Sequence, residues 1–255
     1  MKWNSRFELK PGIWVFTQSD ESKVVGKRLK KIIESRWVFP KYYYHLREGG
    51  HVEAIKSHLN DKYFTRLDIQ DFFGSINKSR ITRNLKKLMP YNEAREFAKL
   101  STVKKPNSTQ ETLPFGFNQS PIIASLCLQN SNLGSMLKHL NKMNNVKVSV
   151  YMDDIIISSN NKDKLQKVYS KVCTSFEKSS FKINLNKSEA PNNLVSVFNI
   201  KLKRNQLDIE KKRLIEFKQK LLSTKNENVI EGVLTYIGTI NPRNINDMDD
   251  LEIFP

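Results

Sequence analysis

The sequence predicts an α+β domain with helices packed on an antiparallel sheet, and three observations predict it. Apolar and polar residues alternate over 64–69 and over 146–150, and the second run resumes at 155–157 as a hairpin. Apolar residues at three- and four-residue spacing mark helices between and after those runs. A length of 255 residues with 38% hydrophobic residues suffices for one large domain or a domain with a small appendage.

Taken in order, residues 20–60 are basic and aromatic, with Lys41-Tyr42-Tyr43-Tyr44 leading to Gly49-Gly50. The strand over 64–69 carries Asp68 near its end. Ile81, Leu85 and Leu88 recur at helical spacing beyond Ser75, and Pro90 stops that helix. The polar stretch 101–112 reads as an exposed loop or mobile hairpin. Ser120 before Pro121 predicts a helix start: a serine hydroxyl caps free N–H groups, and proline at the first helical position loses none. That helix is expected to run to about Leu140. Val146, Val148 and Val150 lead into Tyr151-Met152-Asp153-Asp154, so two carboxylates sit at a hairpin tip. Leu165, Val168, Val172 and Phe176 mark another helix. Ile183-Asn184-Leu185 and Val197-Phe198-Asn199-Ile200 read as strands, 211–238 as helical, and the end is acidic.

Lys plus Arg number 43 against 26 Asp plus Glu, a net charge of +17. Such an excess favours a polyanionic partner, because phosphate contacts release counterions. The basic residues are dispersed in pairs, which suits a groove lined from several elements better than a tail. A basic surface without a ligand is the plainer reading of charge alone. Cys127 and Cys173 sit in apolar surroundings and read as small core residues. His45, His51 and His58 lack cysteine partners and do not read as a metal site. No apolar stretch follows the first charges, and the apolar run at 122–128 is too short to span a membrane. A reducing cytoplasm is the expected compartment.

Adjacent carboxylates at a tight turn repel and are most readily tolerated beside a cation. Oxygen ligands select Mg2+ or Mn2+ over softer metals. Met248-Asp249-Asp250 repeats the same residue types without flanking apolar strands and reads as a solvated tail. The pair at Asp153 and Asp154 is held by apolar strands on both sides. Pairing of distant strands would bring Asp68 against Asp153, a cluster able to hold two divalent ions about 3.5–4 Å apart.

These segments resemble, in order, the palm motifs of reverse transcriptases. Leu67-Asp68-Ile69-Gln70-Asp71-Phe72-Phe73-Gly74-Ser75-Ile76 is similar to the first, and Leu113-Pro114-Phe115-Gly116 with Ser120-Pro121 to the second. Tyr151-Met152-Asp153-Asp154 is similar to the third, 181–189 with Lys187 to the fourth, and 197–202 to the primer-grip hairpin. The match covers about 60–204 in detail, and Leu234-Thr235-Tyr236-Ile237-Gly238 looks like part of a thumb. The resemblance implies a right-hand polymerase fold: fingers and palm over 1–204, then a small helical thumb and acidic tail over 205–255.

It also implies roles. Asp68 and Asp153, with the backbone of Ile69, would bind two Mg2+ ions, with Asp154 in support and Mn2+ as a substitute. Lys187 would sit near the leaving phosphates, although a surface lysine is nearly as good a reading. Asp71, Phe72, Phe73, Gly116 and Gln119 would contact the nucleotide, with Lys41 and Arg47 as candidates for the triphosphate. Phe73 occupies the steric-gate position that excludes a 2′-hydroxyl, or it is a core aromatic. Gly116 would let backbone approach the base pair. Phe198, Asn199 and Ile200 would form the primer grip. Tyr42-Tyr43-Tyr44 could stack bases, though an aromatic strand in the core is the better reading.

The sequence departs from the family in carrying Phe115 where a template-positioning Gln usually precedes the Gly. No nuclease, integrase or maturase extension is expected within 255 residues. The Asn-Ala-x-x-His and Val-Thr-Gly elements of retron enzymes are absent, so the resemblance is to compact bacterial defence-associated, retron-like reverse transcriptases. The function implied is an RNA-directed DNA polymerase using dNTPs and an RNA template, expected to be a non-coding RNA, to make a DNA product. The alternatives are synthesis with little template and an inactive RNA-binding platform. A companion protein or homo-oligomer is open, with residues 247–252 as one conceivable contact.

Overall fold

The computed structural model describes residues 1–106 and 109–249. The chain opens with the hairpin β1 (Trp3–Lys10) and β2 (Ile13–Gln18), then helix α1 (Asp20–Arg36), whose N-cap Ser19 accepts from the Ser22 N–H. A 3-10 turn at Tyr44–Leu46 and α2 (Gly50–Lys56) lead to β3 (Tyr63–Gln70). Next come α3 (Lys78–Leu85), α4 (Tyr91–Leu100), the short hairpin β4 (Val103–Lys104) and β5 (Glu111–Thr112), α5 (Ser120–Gln129) and α6 (Asn132–Leu140). β6 (Lys147–Tyr151), β7 (Asp154–Ser159), α7 (Lys162–Glu177), β8 (Lys182–Ile183) and β9 (Glu189–Asn192) follow. β10 (Leu194–Val197), β11 (Ile200–Lys203), β12 (Gln206–Ile209), α8 (Lys211–Ser223), α9 (Glu227–Ile240) and α10 (Arg243–Asp249) complete it.

The predicted α+β arrangement is present. The main sheet runs β6-β7-β3-β8, with β9 also on β3, and every pairing is antiparallel. β7 lies between two strands and is buried at all positions, which is why 155–157 reads as a continuous apolar run. One core joins this sheet to α1 and to α3 through α7; a second joins the sheet β10-β11-β12 to α8 and α9, with Phe64 and Ile156 reaching in from the main sheet.

Several expectations are corrected. The helix predicted from Ser120 to about Leu140 is two helices, because Ser131 caps a new start by accepting from the Gly134 N–H. A Cβ at Gly134 would overlap the Leu128 carbonyl, so the close bend requires glycine. Ser120 is not the cap: Gln119 holds that place, and the Ser120 hydroxyl is buried without a partner. Helix α4 was not anticipated, although Ala94, Phe97 and Ala98 bury one face of it. The polar stretch 101–112 is the β4–β5 hairpin with a buried base at Thr102 and Val103; residues 107 and 108 lie outside the described residues.

Val197–Ile200 is no single strand but a hairpin, turned by Phe198 and Asn199 at φ 56° and 61°. Leu185 is exposed, beyond the end of β8. Tyr42 and Tyr43 are core residues as preferred, in a turn rather than a strand. A boundary at 204 would cut the β11–β12 hairpin; sheet gives way to helix at Glu210, the N-cap of α8. Met248 is buried in the second core rather than solvated, and the rest of the acidic end from residue 250 lies outside the described residues. No described helix is long and apolar enough to cross a membrane.

Candidate active site

The carboxylates converge because β3 and β7 pair in one register, with Asp68 opposite Asp154 and the Ile69 N–H donating to the Asp153 carbonyl at 2.9 Å. Asp68 is 1% exposed although charged, which demands compensation. Its carboxylate accepts from Lys187 Nζ at 3.2 Å, its N–H donates to Ser188 Oγ at 3.0 Å, and its carbonyl accepts from the Asn184 N–H at 2.9 Å. Lys187 is thus ion-paired with Asp68. Asp154 is held aside by Arg66, whose Nε and Nη2 approach Oδ1 at 2.9 and 2.8 Å while Nη1 donates to the Ser196 carbonyl. Burial raises the Asp154 carboxyl above its usual range, with Arg66 opposing.

Asp153 has no such partner. Burial, then the Asp154 and Asp68 carboxylates, push its carboxyl up to about 6, only partly offset by Lys187. Met152 beside it has φ 58°, a left-handed turn that costs energy in a side-chain-bearing residue. Among the described residues no three His, Cys, Asp or Glu side chains gather into a ready-made ion site. The expected trio is a pair plus a carboxylate drawn off by Arg66. The pair fits a hard divalent cation: its donors are all oxygen, and Asp153 carries a repulsion that a cation would relieve.

His45, passed over in the sequence, holds this turn. Its Nδ1 accepts from the Met152 N–H at 3.0 Å, so the ring proton lies on Nε2 and is donated to Ser125 Oγ at 2.6 Å. Burial lowers its pKa to about 4, which keeps the ring neutral and the acceptor free. No local pattern marks it, since Met152 and Ser125 are distant in the chain.

Asp71 lies at φ 42°, and its carboxylate meets Lys105 Nζ at 3.1 Å to both oxygens. Lys105, from the β4–β5 hairpin, is thus the cation beside the predicted nucleotide residues. Lys41 and Arg47 are exposed and associate with each other: Arg47 donates to the Lys41 carbonyl at 2.8 Å and lies over the Tyr44 ring. Phe72 and Phe73 stack at 5.8 Å, and Phe115 meets Phe73 edge-on at 4.8 Å. Phe73 is 7% exposed and belongs to the main core, as the core-aromatic reading expects.

Gly116, at φ 97°, is required for a different approach than expected: a Cβ there would overlap the Phe16 carbonyl of β2, and Phe16 N–H donates to the Phe115 carbonyl. Gln119 is 0% exposed, accepting from Gln18 Nε2 at 3.0 Å and donating to Ser101 Oγ at 3.2 Å. Its side chain joins β2 to the palm rather than facing a nucleotide. Phe198 packs on His51 and Tyr151, each at 5.3 Å, Asn199 accepts from the Glu210 N–H, and Ile200 is buried. His51, Tyr151, Phe198 and Tyr236 line a cavity of about 650 Å³ between this hairpin and α9.

A family model described as reverse transcriptase (RNA-dependent DNA polymerase) matches residues 17–225. Two Escherichia coli proteins, the retron Ec73 and retron Ec83 reverse transcriptases, are each 26% identical to this chain, over 74% and 75% of it. The chain spans 65% and 66% of their lengths. Among solved structures, a foamy viral protease-reverse transcriptase with double-stranded DNA superposes at TM-score 0.53 with 16% identity, over 97% of this chain and 39% of that one. Telomerase from Candida albicans superposes at TM-score 0.52 with 11% identity, over 92% and 48%. The likeness shows that the fold is the right-hand polymerase fold.

Proposed function

The chain belongs to the reverse transcriptase family, and from that premise we propose that it is an RNA-directed DNA polymerase working by two-metal-ion nucleotidyl transfer. The observation that carries this reading is Asp153: a carboxyl without an ion-pair partner of its own, pushed up to about 6 beside buried Asp68, at the tip of paired strands. Asp68, Asp153 and the Ile69 carbonyl would hold two Mg2+ ions, or Mn2+ in their stead. When bound, such ions activate a primer 3′-hydroxyl and stabilise charge on the transferred and leaving phosphates.

The remaining work falls to the chain. Arg66 would hold Asp154 aligned behind the ligands. Lys187 offers a proton or a positive charge to the departing pyrophosphate. Lys105 would exchange Asp71 for the incoming triphosphate, a place first assigned to Lys41 and Arg47. Phe73, braced by Phe72 and Phe115, would close the space beneath the sugar so that dNTPs are selected. Phe198 and Asn199 would seat the primer end. Fingers and palm would extend through β12, and α8 to α10 would form the thumb.

The biological setting proposed is cytoplasmic phage defence with a dedicated non-coding RNA, by analogy with compact bacterial enzymes of this kind. A companion protein or second copy would then supply regulation. Synthesis with little template is a second reading, favoured by Phe115 and by the burial of Gln119. The test is incorporation of labelled dNTPs with Mg2+ on a primed RNA, followed by product sequencing. Complementary DNA made by the wild type and absent with Asp153→Ala is expected. Undiminished synthesis in that variant would sink the metal-ligand assignment, and a repetitive product matching no RNA would favour the second reading.

A further inference from the structure

Two cavities adjoin on the helical side of the palm, of about 490 and 480 Å³, and share Asn132, Ser135 and Lys178. Neither is lined by Asp68, Asp71, Phe73, Asp153 or Asp154. One wall comes from α3 and the turn after it: Arg80, Arg83 and Lys87 follow at three- and four-residue spacing and form a single stripe. The opposite wall carries Lys171 and Lys178, seven residues apart along α7 and its end, hence about 10 Å along the axis. Among the described lining residues of both cavities there is no carboxylate. On α1, by contrast, lysines find acidic neighbours, as Lys23 finds Asp20 and Lys30 finds Glu34.

We infer that these joined cavities form a groove that binds the phosphodiester backbone of RNA outside the catalytic cleft. Uncompensated like charge facing across a groove is costly unless an anion fills it. The continuity of the two cavities argues for a polymer: 10 Å spans about three nucleotides at duplex rise, more than one free nucleotide offers. The floor argues for RNA, because the Asn130 and Asn132 amides and the Ser135 hydroxyl can pair with 2′-hydroxyls as well as phosphate oxygens. Arg80 is the anchored member, donating to the Ser179 carbonyl at 3.2 Å with its guanidinium 3.9 Å above the Phe181 ring. Arg83, Lys87, Lys171 and Lys178 are exposed and free to reach a strand.

The inference goes beyond polymerisation and is read without it, so its failure is separable from failure of the proposed activity. The experiment measures fluorescence anisotropy of the full chain with a single-stranded RNA of about 40 nucleotides and the same DNA sequence, over a salt series. Arg83→Glu/Lys87→Glu and Lys171→Glu/Lys178→Glu alter one wall each without touching the Arg80–Phe181 stack, and Lys27→Glu/Lys31→Glu on α1, exposed and outside both cavities, matches them in charge. Each groove variant is expected to bind RNA at least ~10-fold more weakly, with the slope of log K against log salt shallower by about 1.4 for two lost contacts. The α1 variant is expected to change less, and DNA to be affected less than RNA. Thermal melts identify a misfolded variant, in which case the other wall carries the result. Wild-type RNA binding in both groove variants, or losses no greater than in the α1 variant, would overturn the inference. So would equal losses for DNA, or a change confined to competition by inorganic pyrophosphate, which would mark a compact anion site.

Discussion

The two ends of the main sheet carry the same kinds of side chain in opposite electrostatic states. At the end away from the turn, His58 is fully buried between β6 and β7, and every polar group has a partner. Ser158 donates to Asp61 at 2.6 Å, so His58 Nδ1 must donate to Ser158, and Nε2 accepts from Ser149. Asn160 and Lys147 complete Asp61. At the turn, Asp153 faces two other carboxylates, offset only in part by a backbone hydrogen bond and by Lys187. The satisfied end holds the strands in register, and that register forces the unsatisfied end together. Carboxylates crowded together beside a fully compensated network carry a repulsion that a cation would relieve.

The sharpest way to break this contrast is Asp153→Asn. Incorporation is expected to fall at least ~10³-fold, about 4 kcal/mol. Stability moves the other way. A carboxyl raised from 3.8 to about 6 contributes stability below pH 3.8 that is lost as pH rises through about 6, so at pH 7 its ionised form is a cost. Removing it should raise the melting temperature in chelator by about 2–4 °C, measured by calorimetry. A lower melting temperature would refute the frustrated-end description.

His58→Ala should do the reverse at the other end. Loss of packing and of two hydroxyl partners is expected to cost about 3 kcal/mol in denaturant unfolding, while turnover per folded molecule stays within about twofold. A selective loss of turnover would show that the two ends are not separable in this way.

His45→Ala tests the brace between them. With the Met152 N–H unsupported, kcat is expected to fall about tenfold while KM for dNTP changes little. An equal rise in KM would point instead to a general loosening.

The most gradual effect is in pH. His58 and His45 have folded pKa values lowered from 6.5 to about 3 and about 4, so below pH 6.5 the unfolded chain takes up protons that the folded chain refuses. Their contribution is complete above about 6.5 and declines as pH falls toward those values, by up to about 1.4 kcal/mol per unit for each. Unfolding free energies at pH 7, 6 and 5 should fall in that order, and less steeply in His58→Gln.

Local pattern was enough for much of this molecule. The alternation at 64–69 and 146–157, and the helical spacing of Leu165, Val168, Val172 and Phe176, report burial of one face, which a strand or helix expresses along its own length. The Tyr151-Met152-Asp153-Asp154 tip was legible because apolar strands flank it on both sides. The break at Asn130 and Ser131 was not, because Gly134 is demanded by the Leu128 carbonyl rather than by any periodicity. Nor could sequence assign Gly116 and Gln119, which answer to β2 about a hundred residues earlier. Arg66 on Asp154, Lys105 on Asp71 and His45 on Met152 arise from chain segments brought together only on folding. Sequence by itself determined the paired strands at 64–69 and 146–157, the helix through 165–176 and the carboxylates at the strand tips, since those follow from neighbours in the chain. Tertiary structure alone decided which charges are compensated and which are left bare, because a side chain's Coulomb partner is chosen by distance in space.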